Sequence, residues 1–174
     1  SIGEGEEALP ELADMLRKAR AEGWSRAQFL YEVSQMEGFY VPSQYEVDYH
    51  ADGTIRAFTP RIAGVPPVVR KRIIRDFDRV YFPKMQIVPF SEVVHDRVTI
   101  ELFRGCIRGC RFCQAGMLFR PIRCKSSDTL VADACTLLEN TGYEQLSLCS
   151  LSSSDYPEIE PLVDKLIQYT QPRN

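Results

Sequence analysis

Several things this sequence lacks narrow what it can be. No stretch approaches the roughly 18 to 20 consecutive apolar residues of a membrane span, and the N-terminus lacks the charged-then-apolar plan of a secretory signal. Cytoplasmic placement without a membrane partner is therefore expected. There is no internal repeat or low-complexity run, and the sequence does not begin with Met. Histidine is scarce: His50 and His95 stand alone and are read as surface or structural residues. Between Arg104 and Lys125 there is no acidic residue at all. After Cys106, Cys110 and Cys113 no fourth cysteine follows at the same spacing.

What remains is an ordinary soluble composition over 174 residues, 44% hydrophobic and 26% charged, with a formal net charge of -3. That length suffices for one good core or two small ones. In a reducing compartment the six cysteines are better read as ligands or packed thiols than as a disulfide set.

The chain enters at a Gly-rich turn and then becomes helical. Leu9, Leu12, Leu16 and Ala19 share one face, and Gly23 is a stop signal. Ser25 and Gln28 form an S-x-x-Q capping box ahead of Phe29, Val33 and Met36, with Gly38 closing the second helix. The period then becomes alternating: Tyr45, Val47 and Tyr49 precede an Asp52-Gly53 turn and Ile55, a β-hairpin signal. Pro60, Pro66, Pro67, Pro83 and Pro89 mark an extended connector, interrupted by the ambiguous run "VVRKRIIRDFDRVYF".

Near residue 95 the pattern becomes regular. "RVTIELF" is a strand-like run leading into the cysteines, and "SSDTLVADACTLLENTG" is a capped helix with Leu130, Ala134, Leu137 and Leu138 inward. "EQLSLCSL" is a second strand. A second helix is expected to start at Asp155, with Ile159, Leu162, Val163, Leu166 and Ile167 inward. Strand, helix, strand, helix implies parallel βα units in an α/β fold. The expected divisions are a helical part over 1–40, a hairpin and connector over 41–95, and two βα units over 96–174. Two parallel strands do not close a barrel, so the sequence reads as a piece truncated at both ends.

The CxxxCxxC order places soft ligands on one loop. Thiolates select zinc, copper(I) or iron-sulfur clusters, and three of them leave one iron of a 4Fe-4S cube without a protein ligand. That open iron could take a cosubstrate, as an open catalytic zinc does. Gly105 and Gly109 suit a loop that wraps a cluster closely. Two alternatives stay open: an electron-transfer module in which Cys124 supplies a fourth thiolate, and a zinc-stabilised structural domain. Cys135 and Cys149 fall inside a helix and a strand and are read as packing residues, as Cys124 is in the first reading.

With Phe112 directly before the last cysteine in "CRFC", the motif resembles that of the radical SAM enzymes. The resemblance implies a partial parallel (β/α) barrel and a 4Fe-4S cluster held by Cys106, Cys110 and Cys113. It also implies S-adenosylmethionine on the unique iron, cleaved reductively to a 5'-deoxyadenosyl radical, and an electron donor such as flavodoxin or ferredoxin. Phe112 would lie near the adenine. "GEGEEALPEL", "RDFDRVYFP", "YEVDYHADGTI" and "LSLCSLSSSDY" extend the resemblance to uncharacterised cobalamin-domain radical SAM proteins. On that reading residues 1–40 close an upstream cobalamin-binding-like domain, and cobalamin itself would belong only to the full-length protein. The family's Gly-Gly-Glu segment, which holds the cosubstrate's amino group, is replaced here by Ser152, Ser153, Ser154 and Asp155, whose oxygens can accept from an ammonium. As an isolated fragment the chain is expected to be inactive or nearly so.

Six basic residues (Arg104, Arg108, Arg111, Arg120, Arg123 and Lys125) crowd the cysteine region. The favoured reading is compensation of an anionic cluster and cosubstrate. The other is an anionic substrate such as a nucleotide or RNA, which no recognised module supports. Asp76 and Asp78 are expected on a solvated or connector face.

Overall fold

The computed structural model describes residues 1–91 and 93–170. Glu92, within the expected connector, and the last four residues of the expected 96–174 division lie outside the described residues. The chain divides into two compact units, Ser1–Ile74 and Arg75–Asn174. Each is considered in turn.

In the first unit α1 (Gly5–Ala21) and α2 (Arg26–Ser34) pack around Ala8, Val33, Phe39 and Val41. Gly23, at φ +66°, lets the Trp24 amide reach back to the Ala19 carbonyl at 2.9 Å, the longer bond of a Schellman stop. Ser25 caps α2, its hydroxyl accepting from the Gln28 amide at 3.2 Å. The face of α1 differs from expectation. Ala8, Leu12, Met15 and Ala19 face the core, whereas Leu9 and Leu16 are exposed. The buried stripe has alanines at its two ends with Leu12 and Met15 between them.

The hairpin forms as expected, from β1 (Tyr45–Tyr49) and β2 (Ile55–Pro60), with Tyr45 stacked on Phe58 at 4.7 Å between ring centres. Asp52 stabilises its turn by accepting from the Thr54 amide at 3.0 Å and the Thr54 hydroxyl at 2.7 Å. The ambiguous run is not a helix. Its first part returns to the N-terminus, where the Arg72 amide donates to the Ile2 carbonyl at 3.0 Å and the Arg72 side chain donates to Glu7 at 2.9 Å and Glu11 at 3.0 Å. Gly3, at φ +101°, is required there, because a Cβ would lie 2.2 Å from the Arg72 carbonyl oxygen. Gly3→Ala is expected to destabilise this unit by about 1–3 kcal/mol from backbone strain alone. Limited proteolysis between residues 1 and 74 checks this, and an unchanged cleavage rate would mean that the Gly3–Arg72 junction contributes nothing.

In the second unit β3 (Val98–Glu101) and β6 (Leu146–Cys149) pair in parallel, Val98 opposite Leu146 and Glu101 opposite Cys149. Between them in sequence come β4 (Phe103–Arg104), the single-turn α3 (Ala115–Leu118), β5 (Arg123–Cys124) and α4 (Ser127–Thr141), and α5 (Ile159–Thr170) follows β6. The result is mixed α/β with one parallel pair, and among the described residues no closed barrel. Val98, Ile100 and Leu102 meet Leu130, Ala134, Leu137 and Leu138 of α4 and Leu162 and Leu166 of α5 in one apolar core. Burial of these side chains is the main favourable term, worth about 1.5–3 kcal/mol for each large one. Ser126 caps α4 through the Thr129 amide, and Gly142 ends it at φ +71°.

Helix α5 departs from expectation in two ways. It begins at Ile159, after a 3-10 turn at Ser153–Asp155, and not at Asp155. Tyr156 precedes Pro157 and is held extended at ψ 125°, which a helical residue cannot be. Ile167 is exposed rather than inward. Phe77 and Phe82 turn toward this unit, whereas Met85, Ile87, Phe90 and Val94 are exposed along the irregular segment leading to β3.

Candidate functional site

Both parallel strands run out at the same end, and the two loops that follow them carry the candidate residues. Just beyond β3 lies Leu102, whose amide donates to the Cys149 carbonyl and whose carbonyl accepts from the Lys125 amide, each at 2.9 Å. The chain then forms β4, which pairs antiparallel with β5 through Phe103–Cys124 and Arg104–Arg123. This short ribbon closes the base of a loop from Gly105 to Ile122 that contains Cys106, Cys110 and Cys113. Its two residue pairs are too short to leave a periodic signal in the sequence.

Gly105 opens the loop at φ +95°, where a Cβ would stand 3.0 Å from the Ile122 Cα and the Phe119 carbonyl oxygen. Gly109 meets nothing within 4 Å, so the steric role expected of it belongs to Gly105 alone. Cys106 is buried, its sulfur accepting from the Arg108 amide at 3.4 Å, with Ile107, Arg120, Pro121 and Ile122 around a shallow depression beside it. Cys113 is half-buried and its amide donates to the Cys110 carbonyl at 3.0 Å, while Cys110 is exposed. Phe112 is 92% exposed.

The loop after β6 supplies Ser152, Ser153 and Asp155. The Ser152 hydroxyl donates to Asp155 Oδ2 at 2.8 Å, and the Ser150 and Ser153 hydroxyls lie 2.9 Å apart. Arg108 reaches across from the cysteine loop and grips the same carboxylate with two nitrogens, Nε to Oδ2 at 2.8 Å and Nη2 to Oδ1. The paired Arg108, then the Ser152 hydroxyl, hold the Asp155 carboxyl below the usual aspartate range, and Asp155 in turn raises Arg108. The structure therefore brings Ser152 and Asp155 to the cysteine loop through Arg108, an alignment no spacing rule in the sequence reveals.

The basic run is largely matched within the fold. Arg104 pairs with Glu101 at 3.0 Å and lies over the Phe77 ring, Arg108 pairs with Asp155, and Lys125 pairs with Asp133 at 3.1 Å. Arg123 donates to the Pro121 carbonyl at 3.0 Å. Arg111 is exposed and has no ion pair among the described residues. Asp78 is not merely solvated, since it accepts from the Ser126 amide at 2.7 Å at the start of α4. Tyr156, buried and donating to the Lys125 carbonyl at 2.8 Å, has its hydroxyl pushed up to about 12, chiefly by burial.

All six cysteines are free thiols. Among the described residues no three His, Cys, Asp or Glu side chains converge closely enough to hold a metal ion. The donor chemistry of the loop still fits an iron-sulfur cluster: three free soft ligands on one segment, entered at a glycine that no other residue can replace without strain. Cys124 lies in β5 across from Phe103, at the base of the loop, and the desolvation around its sulfur raises its thiol although the residue as a whole is exposed. Cys135 lies in α4 and Cys149 at the end of β6.

Fold and site together define a mixed α/β protein with a thiol-bearing loop at the C-terminal end of a parallel strand pair. Residues 1–42 match the family described as radical SAM proteins, N-terminal. No curated protein and no solved structure matches the chain. No helix among the described residues is long and apolar enough to cross a membrane.

Proposed function

We propose that the chain carries the cluster-binding start of a radical SAM enzyme, with Cys106, Cys110 and Cys113 as the ligands of a 4Fe-4S cluster. One observation carries the reading: a match to the N-terminal region of radical SAM proteins over residues 1–42, independent of the cysteines, stands ahead of a β-strand that runs into three free thiols on one loop. When bound, the cluster would supply an electron to S-adenosylmethionine and so generate a 5'-deoxyadenosyl radical.

The chain's own residues would hold and orient. Cys106 is anchored in the loop base, and Cys110 and Cys113 are the more accessible donors. The Asp155 carboxylate, with the Ser152 hydroxyl bonded to it, meets the cysteine loop through Arg108, while the Ser153 hydroxyl pairs with Ser150 in the same loop after β6; their oxygens would offer acceptors for an ammonium group. Phe112, exposed on the loop, is available to cover an adenine. Cobalamin is no part of this proposal, since no residue of the chain is assigned to it. A reducing partner such as flavodoxin or ferredoxin would deliver the electron, in a cytoplasmic setting. Cys124 as a fourth ligand is less well supported, because its place in β5 ties it to the ribbon at the loop base.

The test is anaerobic iron-sulfur reconstitution followed by electron paramagnetic resonance of the reduced protein, with and without S-adenosylmethionine. A signal that changes on adding the cosubstrate is the expected result. An unchanged four-thiolate signal would favour electron transfer, and a colourless protein containing zinc would overturn both cluster readings.

A further inference from the structure

We infer that Arg108 and Asp155 form a latch that positions the cysteine loop, holding Cys106 buried before any ligand arrives. The inference rests on the proposed cluster site for its purpose, but the latch itself is a property of the empty protein.

The loop needs such a restraint. Its base is a ribbon of two residue pairs, and beyond that Ile107 and Phe112 are exposed at 63% and 92%. Ordering an irregular segment costs about 1–2 kcal/mol per residue in backbone entropy, so a loop held only at its base would sample many arrangements of its thiols. Arg108 lies between Cys106 and Cys110, and its own amide donates to the Cys106 sulfur. Fixing Arg108 therefore fixes the backbone on which two of the three candidate ligands depend.

Asp155 is built as the fixed half. Its side chain is 11% exposed against 60% for Arg108. Its amide donates to the Ser152 carbonyl at 2.8 Å, its Oδ2 accepts from the Ser152 hydroxyl, and the next residue, Tyr156, is anchored in the core at 4% exposure. The planar guanidinium meets both carboxylate oxygens, a geometry that a lysine cannot reproduce. The backbone beside Arg108 is also crowded: a Cβ at Gly116 would come within 3.3 Å of the Arg108 carbonyl oxygen, so α3 rests against the latched segment. Arg108 and Asp155 are thus positioning residues, acting on the thiols through the loop.

The experiment measures alkylation of Cys106 by iodoacetamide in the metal-free, reduced 174-residue chain, with peptide mass spectrometry and Cys135 of α4 as internal reference. Arg108→Ala and Asp155→Asn are each expected to speed Cys106 labelling about fivefold relative to Cys135, as local opening becomes easier. The double variant should be no faster than either single, since both remove one interaction. Opposite changes in the two variants, or no change in either, would overturn the latch. Arg108→Lys, which keeps the charge but not the two-point grip, is expected to fall between wild type and Arg108→Ala. It decides the matter should the alanine variant also raise Cys135 labelling. Iron uptake is read separately: a wild-type protein that takes up no iron would overturn the cluster site, while the labelling ratios still decide the latch.

Discussion

Alanine at any one of Cys106, Cys110 or Cys113 is expected to reduce the iron retained after anaerobic reconstitution to background, whereas alanine at Cys124, Cys135 or Cys149 leaves it at the wild-type level. The contrast follows from position. The first three share the loop closed by β4 and β5, while Cys124 is part of that closing ribbon, Cys135 is on α4 and Cys149 ends β6. Two remaining thiolates hold a cube by one edge and leave two irons open to solvent, which a reconstituted cluster does not survive. Loss of iron in the Cys124 variant equal to that in the triad variants would instead establish a four-thiolate site. None of the six thiols is in a disulfide, so each substitution removes a side chain without reshuffling others. Circular dichroism checks that the fold persists, and it is expected to, because Cys110 is exposed and Cys113 only half-buried.

Asp133→Ala is expected to destabilise the second unit by about 3–5 kcal/mol, the usual result of breaking a buried ion pair by removing one partner. Asp133 accepts from Lys125 at 3.1 Å with both side chains nearly inaccessible, and Lys84 approaches the other carboxylate oxygen at the same distance. Lys84 is more than half exposed and can turn to water. Lys125 cannot, because its ammonium lies over the Phe82 ring at 4.2 Å and near Phe77 at 5.7 Å, leaving an uncompensated charge in an apolar setting. Urea unfolding followed by tryptophan-independent circular dichroism at 222 nm reads the loss. Replacing Lys125 by Met and Asp133 by Leu together should recover most of it, as matched apolar pairs commonly do. A single variant within 1 kcal/mol, roughly, of wild type would mean that Lys125 finds another acceptor.

This pair matters to the candidate site because of where Lys125 sits. Its amide donates to Leu102, at the end of β3, and its carbonyl accepts from Tyr156, just before α5. The residue that ends the cysteine segment thus joins both loops of the site to the core. Asp133→Ala is expected to loosen the loop exit as well as the core, whereas the Arg108 latch acts on the loop tip.

Legibility from the sequence followed the range of the interactions involved. The α4 helix, with its Ser126 cap, its Gly142 stop and its Leu130, Ala134, Leu137 and Leu138 face, depended on neighbours three or four residues apart and could be read directly. The hairpin turn at Asp52-Gly53 and the thiol spacing are local in the same sense. The start of α5 differs from the one expected at Asp155 because that carboxylate suits an ion pair as well as a cap. Pro157 favoured the later start, and a partner 47 residues away took the carboxylate. The exposed Leu9 and Leu16 and the buried Ala8 show the same limit, since a helix's apolar residues do not say which neighbour will come close.

By itself, then, the sequence determined the elements of local origin, the parallel order of two βα units and the placement of three thiols on one loop after a strand. Only the tertiary structure decided what each charge near those thiols does. Arg104, Arg108 and Lys125 read together as one cationic run, yet each is matched to a different acid, Glu101, Asp155 and Asp133, brought near by the packing of β3, β6, α4 and α5. Coulomb attraction falls with distance in space and is indifferent to distance along the chain, so the pairing becomes visible only once the chain has folded.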